Sequence, residues 1–166
     1  MPGSVSYTPQ GYHNVTPAIV VHDGAAAIEF YVKGLGAKER TRALGPGGKI
    51  WHAEIEVGDS VVMVADEFPE MGSKSAKTLG DSPSSLWVYV PDVDASFQRA
   101  VAAGATGVRP PEDQFWGDRM SIVEDPFGHT WMLVTHIEDV KPEDMERRRK
   151  EAEAKFRSAG NRPSPA

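Results

Sequence analysis

Cysteine is absent from the 166 residues. That absence excludes disulfides, thiolate nucleophiles and cysteine-ligated zinc or iron–sulfur centres, and it permits a reducing compartment. No uninterrupted apolar run approaches the roughly 20 residues that span a bilayer. The opening MPGSVSYTPQGYHN has neither the basic nor the apolar region of a signal peptide. A soluble, cytoplasmic protein with no membrane partner is expected. A basic stripe is also missing outside the tail: 18 Lys+Arg stand against 24 Asp+Glu, a formal net charge of −6. Nucleic acid is therefore not an expected partner.

What is present reads as globular. Hydrophobic residues make up 40% and charged residues 25%, with 16 Gly and 13 Pro. That much turn chemistry argues for short elements and against a long helical fold. The length suits one compact domain or two half-sized modules sharing a core.

A repeat organises the chain. The apolar run VTPAIVV from Val15 to Val21 leads through His22 and Asp23 into GAAAIEFYVKGLGA. There Ile28, Tyr31, Val32 and Leu35 share one helical face, with Asp23 as N-cap and Gly36 as the stop. SSLWVYVPDVDASFQRAVAAGA repeats the plan. Leu86, Val88 and Val90 form a strand, Asp92 a cap, Phe97, Ala100 and Val101 a helical face, and Gly104 a stop. Alternation follows each helix. Trp51, Ala53, Ile55 and Val57 alternate with His52, Glu54 and Glu56 before Gly58-Asp59 turns the chain into SVVMVAD; MSIVE, DPFG and HTWMLV do the same in the second copy. Weaker strands are expected near ERTRAL and TGVRP. The expected organisation is an arm over 1–14 and βαβββ modules over 15–67 and 84–137, joined by a polar linker over 68–83. A charged helix over 138–157 and a disordered tail over 158–166 complete it.

DGAAAIEFYVKGLGAK in the first module, and in the second FWGDR followed after a short strand by DPFGH, resemble the vicinal oxygen chelate superfamily (glyoxalase, bleomycin resistance protein, dioxygenase). Within it they are most similar to the PhnB-like subgroup, from about Val15 to His136. The resemblance implies an α+β fold of two tandem βαβββ modules and a homodimer, and the alternation puts helices on opposed outer faces and strands toward a shared cleft. The resemblance also places metal ligands on the first and last strands of each module. Those positions fall near Thr16, Met63, Ser85 and Met132, none a good ligand for a hard or borderline dication. No metal or cofactor is expected, as in the bleomycin-resistance branch. Pro17 cannot donate to a strand ladder, so a later start of the first strand would bring His13 inward.

Strand parity turns Ala18, Val20, His52, Glu54, Met63, Ser85, Trp87, Tyr89, Thr130 and Met132 toward the cleft, a lining suited to an apolar or aromatic small molecule. His52 and Glu54 share a face, so they form either an acid/base pair or a polar network at the cleft edge. Trp87 and Tyr89 offer rings for stacking or for packing. Trp116, in the loop QFWGD, is either a wall over the cleft or an anchor against Phe115 or Phe127. Arg119 pairs with an anionic ligand group or with Asp118 or Glu124. Asp125-Pro126-Phe127-Gly128 is turn chemistry, with His129 part of it, His22 part of a cap and His136 at the exposed end of the last strand. Three functions stay open: a metal-free small-molecule-binding protein; a lyase, isomerase or dioxygenase using His52, or a metal set drawn from His13, His52, Glu54 and Glu124; and an interaction or regulatory module without catalysis.

Overall fold

The structure, a computed structural model, describes residues 5–160; positions 1–4 of the expected arm and 161–166 of the expected tail lie outside the described residues. Strand β1 (Ala18–Val21) leads to Asp23, whose carboxylate accepts the Ala26 N–H at 3.0 Å and caps helix α1 (Gly24–Phe30). A π turn over Tyr31–Leu35 follows, and Gly36 stops it at φ 71°, a left-handed conformation that glycine adopts without strain. β2 (Lys38–Leu44), β3 (Ile50–Val57) and β4 (Ser60–Asp66) complete the unit. The linker carries a one-turn helix, α2 (Ala76–Leu79), capped by Ser75.

The second unit repeats this plan. β5 (Ser85–Tyr89) is followed by α3 (Val93–Ala102), capped by Asp92 through the Ala95 N–H at 2.9 Å. β6 (Thr106–Asp113), β7 (Asp118–Glu124) and β8 (Thr130–His136) follow. The sheets have equivalent orders, β1-β4-β3-β2 and β5-β8-β7-β6, each with its first and last strands parallel and its other pairings antiparallel. The fold is therefore α+β, two tandem βαβββ modules, as the periodicity predicts. α4 (Pro142–Gly160) runs on from the second unit. Among the described residues no helix is long and apolar enough to cross a membrane.

One core serves both modules. Ile19, Val21, Ala53, Ile55, Val57, Val62 and Val64 are all buried, and they join a cluster that includes Val123, Trp131 and Leu133 of the second sheet. The helices depart from the expectation of opposed outer faces. α3 sends Arg99 across to the carbonyl oxygens of Gly34 and Leu35, donating at 3.1 and 3.3 Å, so the two helical segments lie together between the modules. The cause is the breadth of the apolar stripe: Ala27, Ile28, Phe30, Tyr31 and Leu35 are all buried, wider than one sheet can cover. Val32 corrects a second expectation, being 42% exposed. The extra residue in the π turn rotates it outward and brings in Gly34, where an added Cβ would stand 3.1 Å from Ala103.

Candidate functional site

Parity gives each sheet one face toward the common core and one away from it. The outer face of the second sheet carries Trp87 opposite Met132 and Tyr89 opposite Val134, then Asp118 opposite His136. A groove of about 760 Å³ is shared by both modules, between β1 with the β3–β4 turn on one side and Ser84 to Tyr89 on the other. Trp87 and Tyr89 are 46% and 61% exposed along it, so their ring faces are open to a ligand. Met132 lies on the same sheet face, opposite Trp87.

His52, Glu54 and Met63 occupy a different depression, of about 530 Å³, roofed by the arm from Tyr7 to Asn14. The His52 Nε2–H donates to Glu54 Oε1 at 3.2 Å, which brings the expected pair together. The Arg40 guanidinium stands 3.9 Å from Glu54 and 5.3 Å from the centroid of the Tyr12 ring. The Tyr12 hydroxyl foremost, with His52 and Arg40, holds the Glu54 carboxyl below its ordinary range against an opposing effect of burial. Tyr12 and Arg40 escape sequence reasoning because the arm has no periodicity and β2 is an exposed edge strand with a bulge between Glu39 and Thr41.

Trp116 meets Phe115 edge to face at 5.0 Å between centroids, and its indole N–H donates to Asp118 Oδ2 at 2.8 Å. Arg119 differs from its expected pairing. It binds Asp94 of α3 at 2.7 and 2.9 Å and Asp113 at 2.7 Å, not Asp118 or Glu124. As the neighbour of Asp118 on β7 it has the opposite parity, which turns it toward the helix. His129 is buried, and its Nε2–H donates to the Val20 carbonyl of the first module at 3.1 Å. His22 sits against Phe127 at 5.4 Å.

The four positions expected for metal ligands offer groups poorly suited to a hard dication. The Thr16 hydroxyl donates to the His13 carbonyl at 3.1 Å, and the Ser85 hydroxyl points at the Met132 sulfur at 3.9 Å. Both hydroxyls are spent within the protein, and Met63 and Met132 supply only thioethers, which favour soft ions. Among the described residues no three His, Asp or Glu side chains converge as a ligand set, and His13, His52, Glu54 and Glu124 are not brought together as one.

Asp118 is a buried carboxylate that sequence patterning does not single out as a site. Asp118 gathers Tyr89, Trp116 and His136. The signal was available: counting outward from the DPFG turn sets Glu124 opposite Thr130 and, six residues on, Asp118 opposite His136.

Two βαβββ units in tandem, with paired sheets and a groove between them, define a glyoxalase-type fold. The chain belongs to the Glyoxalase/Bleomycin resistance protein/Dioxygenase superfamily, matching it over residues 13–133. An uncharacterized protein of Mycobacterium bovis, Mb0911c, is 45% identical over 135 residues, 80% of this chain and 89% of that one. The crystal structure of TioX from Micromonospora sp. ML1 is similar at 27% identity and a TM-score of 0.58, covering 75% of this chain and 99% of that one. A glyoxalase/bleomycin resistance protein/dioxygenase from Nocardioides is similar at 25% identity and a TM-score of 0.54, covering 84% and 91%. The span matched to the superfamily stops short of His136 and α4 and begins after Tyr12.

Proposed function

We propose that the protein is a metal-free small-molecule-binding member of the superfamily, PhnB-like in type, that sequesters an apolar or aromatic drug or metabolite in the cytoplasm as a homodimer. The observation that carries this reading is the chemistry of Thr16 and Met63 under the arm and of Ser85 and Met132 on the second sheet, two engaged hydroxyls and two thioethers, with the open rings of Trp87 and Tyr89 beside the second pair. Stripping water from a hard dication requires charged or imidazole ligands, whereas a soft wall of Met and aromatic groups favours irregular apolar ligands. The dimer is supported by the free edges of β2 and β6, exposed along almost their whole length, and by the uncovered outer face around Trp87.

Native mass spectrometry with metal analysis on freshly purified protein tests this. The expected result is a dimer of 18.1 kDa chains carrying an organic adduct and no stoichiometric metal. Trp87→Ala should then weaken binding of that adduct by about 1 kcal/mol, the value of one aromatic pair beyond burial. Stoichiometric zinc, iron, manganese or nickel, with turnover lost on chelation, would overturn the reading. A stable mass near 18 kDa by light scattering at micromolar concentration would remove the dimer. The contact between His52 and Glu54 favours a second reading, metal-independent acid/base catalysis. Chelator-resistant turnover abolished by His52→Gln would establish it.

A further inference from the structure

Asp118 is 4% exposed and, among the described residues, has no Lys or Arg partner; its hydrogen-bond donors come from three separate segments. Oδ2 accepts the Trp116 indole N–H at 2.8 Å and the Tyr89 hydroxyl at 3.4 Å, and Oδ1 accepts from His136 Nδ1 at 2.7 Å. The other ring nitrogen of His136, Nε2, faces the Asp139 carboxylate at 3.0 Å. A neutral imidazole has a single N–H and can donate to one of these carboxylates; only the imidazolium donates to both.

The segment held this way is the lead-in to α4. Ile137 and Glu138 both donate their N–H groups to the Gly117 carbonyl, at 2.9 and 3.0 Å. Glu138 then pairs through both oxygens with Arg148 of α4, at 2.6 and 2.8 Å. Gly117 stands at φ 96°, and a Cβ there would collide with the Glu138 carbonyl oxygen, so the loop and the lead-in are in direct contact.

We propose that His136 is a proton-operated latch for α4, its imidazolium fastening Asp139 of the lead-in to the buried Asp118 and its deprotonation releasing the Asp139 side. The groups around the ring are Asp118 from β7 and Asp139 from the lead-in. Beyond them, Tyr89 and Trp116 bear on Asp118, and Glu138 is already engaged by Arg148. When the ring loses a proton, the bond to Asp118 is the one kept. An unpaired buried acceptor costs far more than Asp139, which is fully exposed and regains water. Asp118 foremost, then Asp139, raises the His136 pKa above its ordinary 6.5. A raised pKa means that the latch is closed below 6.5 and opens as the pH rises through the folded value. Trp116 and Tyr89 stay in place throughout, because Asp118 remains satisfied.

The latch requires no ligand and is tested on the full unliganded chain by NMR between about pH 5.5 and 9. His136 should titrate with a midpoint above 6.5, and the α4 amides of Asp144 and Met145 should shift with the same midpoint. Their protection against exchange should fall at least about threefold above it, as expected for local opening, while the Trp116 indole resonance holds its position. Asp139→Asn, a change at an exposed side chain that leaves the core untouched, should lower the midpoint and make α4 protection independent of pH. His136→Gln should also abolish the pH dependence. A His136 midpoint at or below 6.5, α4 protection equal on both sides of the midpoint, or an unaltered transition in Asp139→Asn would overturn the proposal.

Discussion

Asp125 is 2% exposed and, among the described residues, is held without a Lys or Arg partner. Its Oδ2 accepts the Tyr31 hydroxyl and the Trp131 indole N–H, both at 2.9 Å, and its Oδ1 accepts the Phe127 and His129 backbone N–H groups, also at 2.9 Å. Four donors replace the water a buried carboxylate would otherwise lose. Tyr31 is the one donor that comes from the first module. Burial foremost, then the charge of Asp125, pushes its hydroxyl well above the usual tyrosine range, so it stays protonated and remains a donor. Tyr31→Phe keeps the ring against Phe127 and Trp131 and removes only this bond. The expected loss is about 2 kcal/mol, the range for a hydrogen bond to a charged group. Urea unfolding measures it; a loss below about 0.5 kcal/mol, the level of a neutral surface change, would show that the bond contributes nothing net.

At the scale of elements, the arm is tied to β3 by one carboxylate. Glu54 is held below its ordinary 4.5 by Tyr12 foremost, with His52 and Arg40. A depressed carboxyl pKa contributes stability that is present above 4.5 and lost as the pH falls through the folded value. Protection against amide exchange over residues 7–14, taken relative to the intrinsic rate at each pH, should therefore fall on acidification below that point. In Tyr12→Phe, which keeps the ring on Arg40, protection should be lower already at neutral pH. Exchange unchanged in the variant would separate the arm from Glu54. These elements differ in how far the sequence disclosed them. β3, the hairpin after it and both Asp caps were legible, because alternation and capping depend on neighbours within a few residues. The opposition of Asp118 and His136 is equally legible from the turn, by counting six residues outward on each strand. Val32 was not: its exposure follows from a π turn, and no apolar pattern distinguishes i+4 from i+5 closure over a single turn. Nor was the seating of the π turn against α3, since a broad apolar stripe shows that a helical segment is covered on two sides without showing by what.

At the scale of the whole molecule, the repeat resembles two domains and the packing makes it one. Phe30 and Tyr31 of the first module are 6% and 0% exposed, and both lie against Phe127 of the second. His129 bonds to Val20, and Arg99 to Gly34 and Leu35, in each case across the modules. Cutting the chain in the linker would bare two large aromatic side chains on one fragment and Trp131 and Phe127 on the other. At about 25 cal/mol per Å² of apolar surface and 150 Å² or more for each aromatic, that is more than 10 kcal/mol of lost burial. A domain's entire stability is typically about 5–15 kcal/mol, so neither half should stand alone. Residues 15–83 expressed separately should lack a cooperative thermal transition, and the intact chain should unfold in one step by fluorescence and circular dichroism alike. Two resolved transitions, or a folded first module, would mean that the modules carry separate cores and that the bonds between them only set their orientation.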